Sequence, residues 1–151
     1  MINIRGRAGF LDGWQRHHLI PLQCETDPRT KLLMAVMIGL GFCFNDFPRN
    51  GILLPNTYAQ SAVVHLPFHS GPHPEYNAMV INLIMKLAFR FNFAGDPLDA
   101  HRTLSHIRHT QAFLRTKMYQ ERPISIDKIG TKRVMKGDSS IDRAIATMLI
   151  R

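Results

Sequence analysis

Apolar residues change rhythm several times along the chain, and each change predicts an element. Residues 14–21 form a short apolar-rich stretch closed by Pro21, which suits a strand or a strand end. Leu32, Leu33, Val36, Met37 and Leu40 then recur at helical spacing, so a helix is expected over 29–40. Asp27-Pro28-Arg29-Thr30 is its start signal, and Gly39 and Gly41 fit its end. Asn50-Gly51 between apolar segments marks a turn, after which Ile52-Leu53-Leu54 makes a short strand stopped by Pro55. Residues 56–66 fit a helix and an irregular connection equally. Ser70 to Glu75 reads as a turn entering a helix with proline in its first turn. That helix should run from about Pro74 to Asn92, apolar on most sides and so central to the core. A second long helix is expected over 97–115. Beyond Met118 the chain is basic and broken by Pro123, Gly130 and Gly137, with a terminal helix over 141–150. Residues 1–13 read as a loose arm or a strand.

The length of 151 residues suits one domain, and the 45% apolar and 20% charged fractions are ordinary globular values that argue against overall disorder. The charge balance changes the picture more. A formal net charge of +8 favours polyanions, nucleic acid before anionic membrane. Two cysteines, Cys24 and Cys43, are too few for a disulfide scaffold and lie in no CxxC. Buried thiols are the default for them, with one bridge as the alternative. No secretory signal is visible. The apolar run 32–44 is shorter than the roughly 20 residues of a membrane span, and 79–93 is interrupted by Asn82, Lys86 and Arg90. A cytoplasmic protein with no membrane partner is expected, any export needing a route without a signal peptide.

Eight histidines is a high number for this length, and five of them fall between Trp14 and His73. Imidazole is the commonest protein metal ligand. Three around one cation leave positions open for water or a phosphate oxygen, and a fourth nearby can take a proton at neutral pH. His69 and His73 are four apart, which a helical turn would place on one face, although Gly71 and Pro72 argue for a turn ahead of the helix. His65 lies four before His69 and is an alternative ligand. His17 and His18 are adjacent and would point to opposite faces of a regular strand, so both serve one site only where the backbone deviates.

Three segments in this order, His17-His18-Leu19-Ile20-Pro21, Asn50-Gly51-Ile52-Leu53-Leu54-Pro55 and His69-Ser70-Gly71-Pro72-His73-Pro74-Glu75-Tyr76, resemble the AHH group of the HNH nuclease superfamily. The resemblance implies an α+β fold: a mostly helical single domain, 1–151, around a ββα-metal core of hairpin and helix. The nuclease core would cover about 14–94, and a basic helical extension about 97–151. It also implies a metal-dependent endonuclease that hydrolyses phosphodiester bonds of DNA, RNA being the other candidate. His17, His69 and His73 would bind one divalent ion. His18 would be the general base, and Asn50 would hold the hairpin loop and orient His18. Arg16, standing where the family name implies alanine, and Tyr76 would contact phosphate. Three imidazoles suit zinc, nickel or cobalt, whereas phosphate hydrolysis often uses magnesium, so zinc, nickel, magnesium and manganese stay open. Relatives that act as toxins between bacteria imply an acidic immunity protein as partner.

His101, His106 and His109 fall among Arg102, Arg108 and Arg115 on the second long helix. Arg102 and Arg108 are candidate nucleic-acid contacts on what is otherwise a solvated basic face. Lys128, Lys132, Arg133 and Lys136 form a basic tail that suits DNA, an acidic partner or disorder. The competing function is a binding module that grips nucleic acid around a structural metal. An adjacent spare imidazole at His18 argues against it, since a closed structural site needs four ligands and no base.

Overall fold

The computed structural model describes residues 3–8, 10–120 and 125–126. Two strands, β1 (Trp14–His18) and β2 (Gly51–Pro55), pair antiparallel, with Trp14 opposite Pro55 and His18 opposite Gly51. The chain between them is an excursion holding α1 (Gln23–Thr26), α2 (Lys31–Gly39) and α3 (Phe47–Asn50). After β2 come α4 (Tyr58–Val64), α5 (Pro74–Arg90) and α6 (Pro97–Gln120). The described chain is therefore α+β, with one two-stranded sheet among several helices.

The expected elements are present, with shifted ends. The Asp27-Pro28 signal makes a turn ahead of α2: Asp27 Oδ1 accepts from the backbone N–H of Arg29 (2.9 Å), and the helix begins at Lys31. Residues 56–66 resolve into α4, where the Thr57 hydroxyl accepts from the Gln60 N–H (3.3 Å) and His65 ends the helix in the left-handed region (φ 55°). The helix expected over 97–115 extends to Gln120, because Leu114 and Met118 continue its buried face. The amino-terminal arm is folded back rather than loose: Asn3 Nδ2 donates to the Leu11 and Trp14 carbonyls (3.0 and 2.8 Å). The basic tail and the terminal helix over 141–150 lie outside the described residues.

The Asn50-Gly51 pair departs further from expectation. It is not a free-standing turn but the direct junction of the one-turn helix α3 with β2. Gly51 has extended backbone (φ −131°), so no left-handed turn requires it. A Cβ there would lie 2.0 Å from Phe47 Cδ2, so the glycine is needed for the ring that packs on it.

The core gathers Leu19 and Ile20 after β1, Leu33, Met34 and Met37 of α2, Ile52 and Leu54 of β2, and the inner faces of α5 and α6. On α5, Tyr76, Met79, Val80, Leu83, Ile84 and Leu87 follow helical spacing inward. Leu104, Ile107, Leu114 and Met118 bring α6 into the same cluster. None of the described helices is long and apolar enough to cross a membrane.

Candidate metal centre

Local backbone puts three imidazoles together. His17 sits on β1 with 1% of its surface exposed. His69 is tied to the far end of the sheet, its N–H donating to the Pro55 carbonyl (2.8 Å). Gly71 then takes a left-handed conformation (φ 87°), which turns the chain so that His73 becomes the N-cap of α5. The ring centroids of His17 and His69 are 5.3 Å apart, and His73 lies 4.8 Å from each. One ligand nitrogen from each ring falls within 4.8 Å of the other two, the one such group of metal-binding side chains among the described residues.

The rings differ in their partners. Gln15 Oε1 lies 2.6 Å from His69 Nδ1, and Asn77 Oδ1 lies 2.9 Å from His73 Nδ1. Neither nitrogen of His17 has a hydrogen-bond partner, although both are buried. Leaving a buried polar group unpaired costs about 1–3 kcal/mol, and a cation shared with His69 and His73 would remove that cost for the one nitrogen that coordinates it. The donor set thus fits a divalent ion: three imidazoles, with room for non-protein ligands. Burial is also the main reason that His17 is held well below the ordinary imidazole pKa, with the neighbouring His73, His69 and His18 adding to it. Burial, then His73, pushes His69 down to about 4. Both rings are accordingly neutral near pH 7, the form that binds metal.

His18 closes β1, half-buried, and its Nε2 has no partner. Burial lowers its pKa and the Arg16 charge adds to this, while a hydrogen bond with the Asn45 side chain opposes them. The four histidines line one cavity of about 220 Å³ together with Arg16, Gln23 and Asn77, and Pro21 and Leu22 supply its apolar wall. Among the described residues, no acidic side chain lines it. Adjacent residues of β1 share the cavity because His18 is the last residue of the strand, where the chain leaves the sheet for the 19–20 bend.

Other candidates sit elsewhere. Asn50 is fully buried: its Oδ1 accepts from Ile20 N (2.9 Å) and Gln111 Nε2 (3.0 Å), and its Nδ2 donates to the carbonyls of Ile20 and Phe44 (both 3.0 Å). It ties the two ends of the excursion together behind the site, and the amide beside His18 is that of Asn45 instead. Tyr76 is fully buried, its hydroxyl donating to the Leu19 carbonyl (2.8 Å) and its ring 4.7 Å from that of His17. It supports the site from below and offers no surface to a phosphate, which corrects the contact expected of it. Arg16 does line the cavity, with its guanidinium 4.8 Å from the Phe47 ring centre and its buried Nε unpartnered. Arg102 and Arg108 are exposed on α6 and do not line this cavity. His65 is exposed at the end of α4 and stands apart from the three-histidine group. His101, His106 and His109 also lie outside it.

A family model matches residues 3–90, more than half of the chain, and describes a nuclease family of the HNH/ENDO VII superfamily with conserved AHH. The chain belongs to this AHH family. Comparison with curated proteins and with solved structures found no match. The AHH match ends at the last residue of α5, so α6 lies wholly beyond it. Yet α6 is wired to the site's frame. Gln111 reaches Asn50, and Arg115 Nη2 donates to the carbonyls of Pro48 (2.7 Å), Arg49 (3.1 Å) and Gly51 (3.0 Å). Ile126 N–H also donates to the carbonyl of Phe68, the residue before His69 (3.2 Å). Sequence reasoning missed Gln15, Asn45, Asn77, Gln111 and Arg115. The first and third had a signal: Gln15 is two residues from His17 on a strand, and Asn77 is four from His73 on a helix.

Proposed function

We propose that this protein is a metal-dependent endonuclease that hydrolyses DNA backbone phosphodiesters. The observation that carries the reading is one cavity in which three imidazoles meet while a fourth, on His18, keeps an unpartnered nitrogen. His17, His69 and His73 hold one divalent ion, clasped by the β1–β2 pair and the start of α5 in the manner of a ββα-metal core. When bound, the ion supplies Lewis-acid stabilisation of charge on the phosphate and on the departing oxygen.

The remaining work falls to the chain. His18, neutral near pH 7, takes a proton from a water that attacks phosphorus in line. The phosphorus–O3′ bond breaks, and the departing O3′ is protonated from solvent. Arg16 is placed to donate to a non-bridging oxygen, since its guanidinium is held by Phe47 at the cavity wall. Asn45 orients His18, and Asn50 acts one layer behind by fixing the loop. The net charge of +8 grips the phosphate backbone without reading bases. A toxin role, with an acidic immunity protein covering the basic surface, is consistent with that charge and completes the proposal. Because α6 joins the core of the family-matched region, the two act as one folding unit.

Incubating chelator-treated protein with supercoiled plasmid, and then restoring Zn, Ni, Co, Mn or Mg, tests the reading. Nicking should return with metal, and His18→Ala should lower it by roughly 10²–10⁴-fold. DNA binding without nicking under every metal would favour a binding module with a structural ion.

A further inference from the structure

Two amides stand behind the imidazoles, one on each side of the site. Gln15 shares a face of β1 with His17, and its Oε1 lies 2.6 Å from Nδ1 of His69. Asn77 sits one turn along α5 from His73, and its Oδ1 lies 2.9 Å from Nδ1 of that ring. The Asn77 orientation has its own support, because its Nδ2 points to Gln23 Oε1 (3.5 Å), leaving the oxygen for His73. An amide oxygen only accepts, so the hydrogen in each contact belongs to Nδ1. A neutral ring that carries hydrogen on Nδ1 has its lone pair on Nε2.

We propose that Gln15 and Asn77 are positioning residues that lock His69 and His73 in the Nδ1–H tautomer, presenting both Nε2 atoms to the cation. The inference rests on the reading of these rings as ligands, and adds who orients them. It has a chemical consequence. Ligand histidines are commonly backed by carboxylates, backbone carbonyls or water. Here the backing groups are neutral amides, and no acidic side chain among the described residues lines the cavity. A divalent ion held there would have none of its charge offset by a carboxylate of these residues. His17 has no such backing group, so its ring is fixed by packing against Tyr76 at 4.7 Å.

Long-range ¹H–¹⁵N correlation spectra of histidine-labelled, metal-free full-length protein read the tautomers directly. In the wild type, His69 and His73 should both be Nδ1–H. Gln15→Leu should shift His69 alone toward Nε2–H, and Asn77→Leu should shift His73 alone. Competition with a chromophoric chelator for Zn²⁺ should show each variant binding roughly 10–100-fold more weakly. Gln15→Glu, which still accepts from the same N–H, should restore binding. Nε2–H rings in the wild type would overturn the proposal, as would unchanged tautomers and Zn²⁺ affinity in both leucine variants. Nδ1–H rings in a wild type that takes up no Zn²⁺ would leave the locks standing and remove the metal-dependent nuclease reading instead.

Discussion

His17 shows how little the surroundings tolerate a charged imidazole. It is buried, both nitrogens lack partners, and its pKa lies well below normal, while that of His69 is pushed to about 4. The sign of the resulting pH effect follows from linkage. Between about pH 6.5 and 4 the unfolded chain binds a proton at His69 that the folded chain refuses. The metal-free protein should therefore lose stability as pH falls through that window, His17 adding in the same direction. Thermal unfolding in chelator from pH 7 to pH 4 checks this, and a flat Tm would contradict it. Gly71 sets the spacing of His69 and His73 through its left-handed φ of 87°. Gly71→Ala should cost about 1 kcal/mol or more in unfolding free energy and weaken metal binding, although open space surrounds the position. The three-histidine group was legible because imidazoles from separate segments stood together in one motif order. Tyr76 was misread because its helix phase, which points it inward with Met79 and Val80, outweighs its place next to the motif. Gln15 and Asn77 carry no chemical flag in sequence; only their periods, two and four, link them to histidines.

The α3–β2 junction joins the fold to the site. Asn50 satisfies the N–H and carbonyl of Ile20 and the carbonyl of Phe44, so Asn50→Ala leaves several buried groups unpaired. At about 1–3 kcal/mol per group, a loss above about 3 kcal/mol is expected in denaturant unfolding. Gln111→Leu removes one partner from the same amide and should cost less, about 1–2 kcal/mol. If Gln111→Leu leaves stability unchanged, α6 does not brace the junction. Gly51→Ala must push the Phe47 ring aside, and with it the support of Arg16, so it should impair DNA cleavage beyond its effect on stability. The elements themselves were readable from period and punctuation, since α2 buries Leu33 and Met37 and α5 buries its inner stripe, although Leu32 and Phe89 on the same helices are exposed. The helix–strand junction was not, because Asn-Gly serves a turn and a close ring contact equally well. Nor was the role of α6, whose polar Gln111 looks like any surface glutamine until the partner 61 positions away is known.

The chain carries a net charge of +8, and Arg16 is the one permanently charged side chain among the described residues that line the histidine pocket. Its affinity for DNA should fall steeply with salt, as expected where phosphate contacts dominate. Cys24 and Cys43 are both free thiols, the first buried with its pKa pushed up to about 12 by burial, the second exposed. A thiol reagent should accordingly count one group in the folded protein and two after unfolding. Charge and composition pointed to a nucleic-acid partner, but not to where a strand would lie, because Arg16 reaches the cavity while Arg102 and Arg108 lie away from it. Native mass spectrometry of wild type and single variants loaded with Zn²⁺ addresses the division of labour on which the whole account depends. One ion should remain bound to the wild type and to His18→Ala, and none to His17→Ala, His69→Ala or His73→Ala. An ion lost with His18→Ala, or kept when any of the other three is removed, would contradict it.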